Sequence, residues 1–491
     1  MPAGTEVTIS VTTWEERQEA FVRRIGHRTP SELETGTVVV VPSMSFAESE
    51  LRKIVGAVHY EERLLFMLLF LRNPDLRLVY VTSLPVDPSV IDYYLRFLPD
   101  PADARRRLSL VSVGDGGAAP LSEKLLRAPA VLEDVRALAG DPDDAYLLPF
   151  NVTVAERALS ELLRLPLYGS PPHLFWLGSK TGSRRTARQA GVSVLEGRED
   201  LWSLGDIEHA IELIRDRSPH ADAVVIKLNN GFSGQGNAIV ELSGRTAPLR
   251  SSDTTFCASE ETWPSYEAKI GAEGAIVEEL VRHEPMVSPS VQLRIAPGGA
   301  VEVVSTHDQI LGGPEGQVYL GCRFPADPDY RLDIQERARR VARVLAAKGV
   351  MGSFGIDFLV AHGAGGNHVY LSEINLRMGG TTHPFWMARL ATGGAYDPGV
   401  GELVAPDGQP RRYVATDNIK DPSLAGRTPA EVIGAVDTAG LAFDPGTGCG
   451  VTLHLLGALR SFGKMGAVCV AETLDEAEAL YQKLLGVLVA S

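Results

Sequence analysis

Asp357, Glu373, Asn375 and Arg377 stand at spacings that suit chemistry on a divalent cation and a phosphate. Asp357 interrupts the apolar run 351–360, a glycine-rich turn at 363–366 follows, and Glu373, Asn375 and Arg377 alternate along a second run from His368. Residues two apart in a strand point to one face. A hairpin here would therefore gather two carboxylates and an amide oxygen, hard donors suited to Mg²⁺ shared with substrate phosphates. Arg377 would lie beside them, able to hold a transferring phosphoryl group. The plain alternative is the solvated outer face of a hairpin.

A second constellation starts at Lys227, which ends the apolar run 223–226. Gly231, Ser233, Gly234, Gln235 and Gly236 follow before another apolar run at 238–240. Glycines let backbone N–H groups approach phosphate oxygens, and Lys227 would add a point charge. The loop fits neither GxxxxGK[ST] nor GxGxxG, so a plain mobile hairpin stays open as the other reading. Third, the run 274–281 ends on Glu278 and Glu279. These are either acceptors for a purine amine and ribose hydroxyls or a surface acid pair.

The elements that must position these residues are legible in outline. Residues 35–165 alternate β-branched runs (38–41, 78–82, 108–113, 145–148) with helical patterns, chiefly 48–72, where apolar residues recur at 51, 54, 55, 58, 65, 68 and 69. Such alternation predicts a parallel, helix-covered sheet with its ligand crevice beyond the strand C-terminal ends. Pro42-Ser43-Met44-Ser45 sits at one such end, as a turn whose serine caps the next helix or as a substrate contact. Loops are expected at 99–105 and 114–120, a strand at 174–177, β-rich stretches at 450–456 and 467–471, and a helix over 474–488 opened by the capping box Thr473 to Glu476. Turn formers cluster near 168–172 and 393–408. They divide the chain into 1–169, 170–400 (lobes of about 170–277 and 278–400) and 401–491, mixing α/β and α+β classes.

Composition narrows the function. With 62 acidic against 47 basic residues the net charge is −15, which excludes a broad phosphate-neutralising face for nucleic acid. Any polyanionic ligand must be met by a few local cations. The apolar run 64–71 has eight residues, far short of the roughly 20 that cross a bilayer. The N-terminal residues lack a basic start and an apolar core, so cytoplasmic residence and no membrane are expected. Four cysteines without a CxxC pair suit a reducing compartment and read as small buried hydrophobes.

The order Ser179-Lys180, Lys227 with its glycine loop, Glu278-Glu279-Leu280, Asp357, then Glu373-x-Asn375-x-Arg377 resembles the ATP-grasp superfamily of carboxylate–amine ligases over about 170–400. The resemblance implies an ATP cleft between two α+β lobes. In it Lys180, Lys227 and the loop 231–236 contact phosphates, Glu278, Glu279, Leu280 and Val281 hold adenine, and Glu284 takes the ribose. Asp357, Glu373 and Asn375 would bind two Mg²⁺, and Arg377 would stabilise the transition state, with Arg294 as a second cation. Gly355 stands where D-alanine ligase-like members place an arginine, which favours Arg377 as the catalytic one.

The stretches 59–63 (His-Tyr-Glu-Glu-Arg), 373–384 and 451–471 are similar to the pheganomycin-type peptide ligases, in which a parallel-sheet pre-ATP-grasp domain precedes the grasp lobes and a small α+β domain follows. That likeness implies activation of a small, guanidino-bearing or amino-acid-like carboxylic acid and its coupling to the amine of a peptide or amino acid. The sequence leaves the oligomeric state open, a homodimer included. Gly380, Thr381 and Thr382 would shape the acceptor pocket. His383 and His454 read either as bases for the incoming ammonium or as histidines in hydrogen-bonded turns. A thiol acceptor, a kinase without acceptor, and a non-catalytic nucleotide-binding regulator are the competing functions.

Overall fold

The computed structural model describes residues 13–490 apart from 27–35, 232–235, 244–248, 250–253, 259–260, 283–285, 313–317 and 364. Strands β1 (Gly36–Val41), β2 (Leu76–Thr82), β3 (Leu108–Ser112) and β4 (Ala145–Pro149) form a parallel sheet in the order β3-β2-β1-β4. Every residue of β1 is buried, as in a parallel strand covered on both faces, which is why its valine run shows no alternation. Segments beyond the C-terminal ends of β1 and β4 deliver Met44, Phe46 and Phe150 to a large cavity. Ser45 does not cap a helix. Its hydroxyl donates to Glu156, and its N–H donates to Asn151 Oδ1 at 2.9 Å, tying the two strand ends together.

The segment 48–72 divides into a short helix, Glu48–Leu51, and a tighter helix with three residues per turn, Ala57–Arg72. Gly56 enters the second with φ +72°, a conformation open to glycine that ends the first pattern. Side chains three apart eclipse in such a helix. Tyr60 and Arg63 therefore stack, with the guanidinium 4.0 Å from the ring centroid. Two other local expectations change. Residues 174–177 belong to the tight helix Pro172–Gly178 rather than a strand, and Pro101–Arg106 is a helix capped by Asp100 rather than a loop. Proline at the first helical positions starts both.

Strands β5 (Gly197–Leu201), β6 (Ala223–Leu228), β7 (Asn237–Glu241), β8 (Thr254–Phe256) and β9 (Ala275–Glu279) form an antiparallel sheet in the order β5-β9-β6-β7-β8. Helices Leu204–Arg217 and Trp263–Glu273 cover its back with apolar side chains. The third sheet contains β10 (Met286–Val287), β11 (Pro289–Ile295), β12 (Val301–Gly312), β13 (Val318–Phe324), β14 (Gly352–Gly363), β15 (Gly366–Asn375), β16 (Ala395–Asp397), β17 (Glu402–Val404), β18 (Pro410–Lys420), β19 (Gly450–His454) and β20 (Lys464–Ala471). Helix Arg331–Ala347 packs on β11 and β12, and helix Lys180–Gln189 on β15.

The strands of 401–491 continue this sheet edge to edge. Phe324 of β13 faces Tyr413 of β18, and β18 in turn pairs with β20. One apolar core runs from Phe21 through Leu65, Phe385 and Val468 to Leu488, so burial joins the parallel-sheet unit, the grasp lobe and the tail. Cys322 and Cys469 are buried, whereas Cys257 and Cys449 are partly exposed, contrary to the expectation for all four. Among the described residues no helix is long and apolar enough to cross a membrane.

Candidate active site

A cavity of about 630 Å³ lies between the β5–β9 sheet, the third sheet and the ends of β1 and β4. Among the described residues its lining contains Lys53, Arg63, Lys180, Lys227, Arg282, Arg377, Lys420 and Lys464 against Glu50, Glu279, Asp357, Glu373 and Asp417. The acidic chain thus concentrates cations at one place, as a polyanionic ligand requires.

The expected β6/β7 hairpin forms, with Lys227 opposite Asn237. At the neck of its loop a Cβ on Gly236 would meet the Gly231 Cα at 2.8 Å, so the pinch admits only glycine. Ser233, Gly234 and Gln235 lie outside the described residues, as does Glu284. Lys227 reaches the cavity, and its ammonium is held 2.8 Å from Glu278.

Glu278 does not line the cavity, contrary to an adenine-contact role. It is 1% exposed and clamped between Lys227 and the fully buried Arg184. Burial pushes its carboxyl up, but the two cations outweigh that and hold it below the usual range. Alternation sets Glu278 on the face of its cross-strand partner Val225, which lines the cavity, but Lys227 and Arg184 cover its carboxylate there. Glu279, Leu280 and Val281 line the cavity where the chain runs on from the strand.

The β14/β15 hairpin also forms as expected, with Asp357 directly opposite Glu373. Asn375 donates its amide to Asp357 Oδ2 at 3.0 Å, which leaves its oxygen as the end available to a cation. Lys180, the first residue of the helix capped by Ser179, places its ammonium 2.5 Å from Glu373. Burial and the Glu373 charge push Asp357 up to about 7, against the opposing pull of Arg377, Lys180 and the Asn375 amide. Two carboxylates forced together, with an amide oxygen beside them, are a donor set that a divalent hard cation fits. Arg377 shares the wall, its guanidinium 5.5 Å from the Phe46 ring. Gln292 fills the space beside Gly355, with its amide nitrogen 3.0 Å from where a Cβ would lie, so no arginine could replace this glycine without displacing it.

Arg294 does not reach the cavity. It is 1% exposed and paired with Glu302 at 2.6 Å, two residues along β11 from the cavity-lining Gln292 and on the same face. Gly380 and Thr381 line the site. A Cβ on Gly380 would stand 2.8 Å from the Tyr319 ring. Thr382 instead accepts the Gly379 N–H at 2.9 Å.

His383 and His454 are removed from the lining altogether. Both are 2% exposed, their ring centroids lie 4.2 Å apart with the planes tilted by 31°, and a His383 ring nitrogen bonds the Arg63 carbonyl at 3.0 Å. Burial pushes His383 down to about 3 and His454 well below its ordinary value. They pack as neutral core groups and do not meet an incoming amine. Gly466 lies so close that any Cβ would overlap the His454 ring. Gly466→Ala is therefore expected to destabilise the protein by about 2–3 kcal/mol, measured as a fall in the denaturant midpoint; an unchanged midpoint would show that the ring has room to move.

Several lining residues carry no local signal of their own, among them Tyr60, Arg63, Tyr319, Asp417, Lys420 and Lys464. The one available hint is that 59–63 and 451–471 belong to the family-like stretches. The fold brings these together: Lys464 donates to the Tyr60 hydroxyl at 2.6 Å, Gly457 N–H donates to Glu62 at 3.0 Å, and Arg63 pairs with Asp417.

Comparison with known proteins places this geometry. Residues 252–397 match the family model for IQCH-like ATP-grasp domains, and 431–484 match that of the PGM1 C-terminal domain. Over 453 residues the chain is 32% identical to the L-propargylglycine–L-glutamate ligase of Streptantibioticus cattleyicolor, spanning 90% of this chain and 92% of that one. A biotin carboxylase from Campylobacter jejuni, solved as an ATP complex, shares the fold with a TM-score of 0.56 at 16% identity, over 92% of this chain and 91% of that one. The biotin carboxylase domain of Hydrogenobacter thermophilus 2-oxoglutarate carboxylase, solved with MgADP and bicarbonate, does so at 0.55 and 13% identity, over 92% and 89%. The glycine-necked hairpin, the paired β14/β15 carboxylates and this kinship agree: the chain belongs to the ATP-grasp carboxylate–amine ligases.

Proposed function

We propose that the enzyme joins two amino-acid-like substrates, activating the carboxylate of one as an acyl phosphate and coupling it to the amine of an amino acid or peptide. The observation that carries this reading is the convergence of Asp357, Glu373, Asn375 and Arg377 on one wall of a cavity that Lys180 and Lys227 also line. Asp357, Glu373 and Asn375 would hold Mg²⁺, as two ions, and the metal when bound spreads the negative charge of the phosphates. Lys180 and Lys227 supply point charges to the phosphate oxygens, and Glu279 to Val281 border the base. Arg377 orients the acid so that its oxygen attacks the γ-phosphorus as the bond to the β-phosphate oxygen breaks. The amine then attacks the acyl carbon and phosphate departs, while the ammonium proton passes to solvent. Catalysis on this reading is positioning and electrostatics, with no histidine base.

The cation-rich lining favours acids without a guanidinium, and amino acids such as the glutamate and propargylglycine of the relative's name are the first to try. Mass spectrometry after incubation with ATP, Mg²⁺ and paired panels of acids and amines should find a product lighter than the sum of its parts by one water, with ADP and phosphate in equal amounts. Phosphorylated acid formed without amine would replace ligation by a kinase.

Mg²⁺ affinity should depend on pH. A proton on Asp357 competes with the cation, and with its carboxyl near 7 the ionised fraction rises about ten-fold between pH 6 and pH 8. The Mg²⁺ concentration that half-saturates ADP binding should fall by about that factor over the same interval. In the metal-free enzyme, protonation of this group stabilises the fold below about 3.8, and that contribution is lost as pH rises through about 7. A flat Mg²⁺ response in Asp357→Asn is expected; a flat response in the wild type would remove Asp357 from the metal site.

A further inference from the structure

The part of the cavity lining supplied by helix Ala57–Arg72 and strands β18 and β20 carries charge that the transfer chemistry does not use. Lys420 of β18 and Lys464 of β20 are cross-strand partners. Like charges directly opposite on neighbouring strands repel. Lys464 is 5% exposed, and among the described residues no carboxylate lies within ion-pair distance of it or of Lys420. Its ammonium donates to the Tyr60 hydroxyl at 2.6 Å and stands 4.9 Å from the centre of that ring. Arg63 stacks on the same ring and pairs with Asp417.

The charges form a row. Arg63 feels Arg377 on one side, and Lys464 feels both Arg63 and Lys420 on the other. Burial and these neighbours push the Lys464 amine down to about 8. A buried ammonium without an anionic partner is costly, and this one opens onto the cavity.

We propose that Lys464, Lys420 and Arg63 form a carboxylate subsite that holds the non-reacting α-carboxylate of an amino-acid substrate, with Tyr60 fixing the Lys464 ammonium. The row then spans the substrate: Arg377 meets the reacting end, and the β18/β20 lysines hold the other. This deepens the ligase reading above and rests on it. Such a carboxylate has two sources, the amine acceptor or a dicarboxylic acid donor, and both present the same group.

The test uses the full chain saturated with MgADP and follows its melting temperature with each standard L-amino acid and with the matching α-carboxamide. At least one amino acid is expected to raise it where its carboxamide does not. Lys464→Met and Lys420→Ala should each weaken that amino acid's binding about ten-fold or more, the loss of one charge-assisted contact, while Lys464→Arg keeps most of it and the MgADP shift stays in all three. Lys420 is exposed, so its variant decides the matter should Lys464→Met fail to fold. The subsite is overturned if no amino acid stabilises the protein, if carboxamides do so equally, or if both lysine variants respond like the wild type. In turnover, a raised KM for an acceptor carboxamide assigns the site to the acceptor, and a raised KM for the α-carboxamide of a dicarboxylic acid assigns it to the donor. Amide formation that ignores the α-carboxylate would sink the subsite and spare the ligase reading; amino-acid binding without amide formation would do the reverse.

Discussion

Glu373→Ala is expected to lower substrate-dependent ADP formation by on the order of 10³-fold, several kcal/mol of lost charge stabilisation at the phosphates. The physical cause is the β14/β15 register. Glu373 and Asp357 face each other across the hairpin, and removing one leaves a donor set of one carboxylate and one amide. Lys180 loses its partner at the same time and would be free to swing from the phosphates. The effect should fall on kcat and on the Mg²⁺ requirement, with cooperative unfolding retained, because Glu373 is a partly exposed cavity residue outside the apolar cores. Undiminished turnover with ordinary Mg²⁺ dependence would remove the metal assignment from this hairpin.

Glu278→Ala is expected to act on the fold. Its carboxylate is the shared counter-charge of Arg184, fully buried, and Lys227, 9% exposed. Taking it away strands Lys227 and leaves the buried Arg184 with Glu199 alone, and breaking a buried pair from one side typically costs about 3–5 kcal/mol. The denaturant midpoint should drop accordingly, and ATP affinity should weaken because Lys227 loses the group that aims it. An adenine contact would behave differently, with a raised KM for ATP on an equally stable protein. Midpoint and KM measured on the same preparation distinguish the two.

The relation between these two glutamates shows what a strand pattern can convey. Glu278 and Glu279 are adjacent acids at a strand end, and alternation says only that they point opposite ways. Helices Leu204–Arg217 and Trp263–Glu273 cover the face of Ala275 and Val277, which leaves Glu278 on the ligand side with Lys227, yet Arg184, from a helix far off in the chain, buries it there. Arg294 poses a different problem: alternation sets it on the face of Gln292, but two residues further along β11 it lies outside the cavity, paired with Glu302. The histidines failed for another reason. His383 follows a glycine-threonine turn that does line the site, yet one residue further the chain enters helix Thr382–Thr392, whose side chains pack into the shared core.

Local sequence determined the parallel sheet, both functional hairpins and the opposed carboxylates on the second. Period-two runs separated by glycine-rich turns close on themselves with little freedom of register. It also determined that the cations must be concentrated, since an acidic chain with a phosphate loop needs them. Only the tertiary structure decided where those cations stand. Tyr60, Asp417, Lys420 and Lys464 are up to 404 residues apart in the chain, and they meet because β18 and β20 extend the grasp sheet while a buried helix from the first unit packs against its edge. Contacts of that range follow from the burial of one common core, which no local pattern encodes.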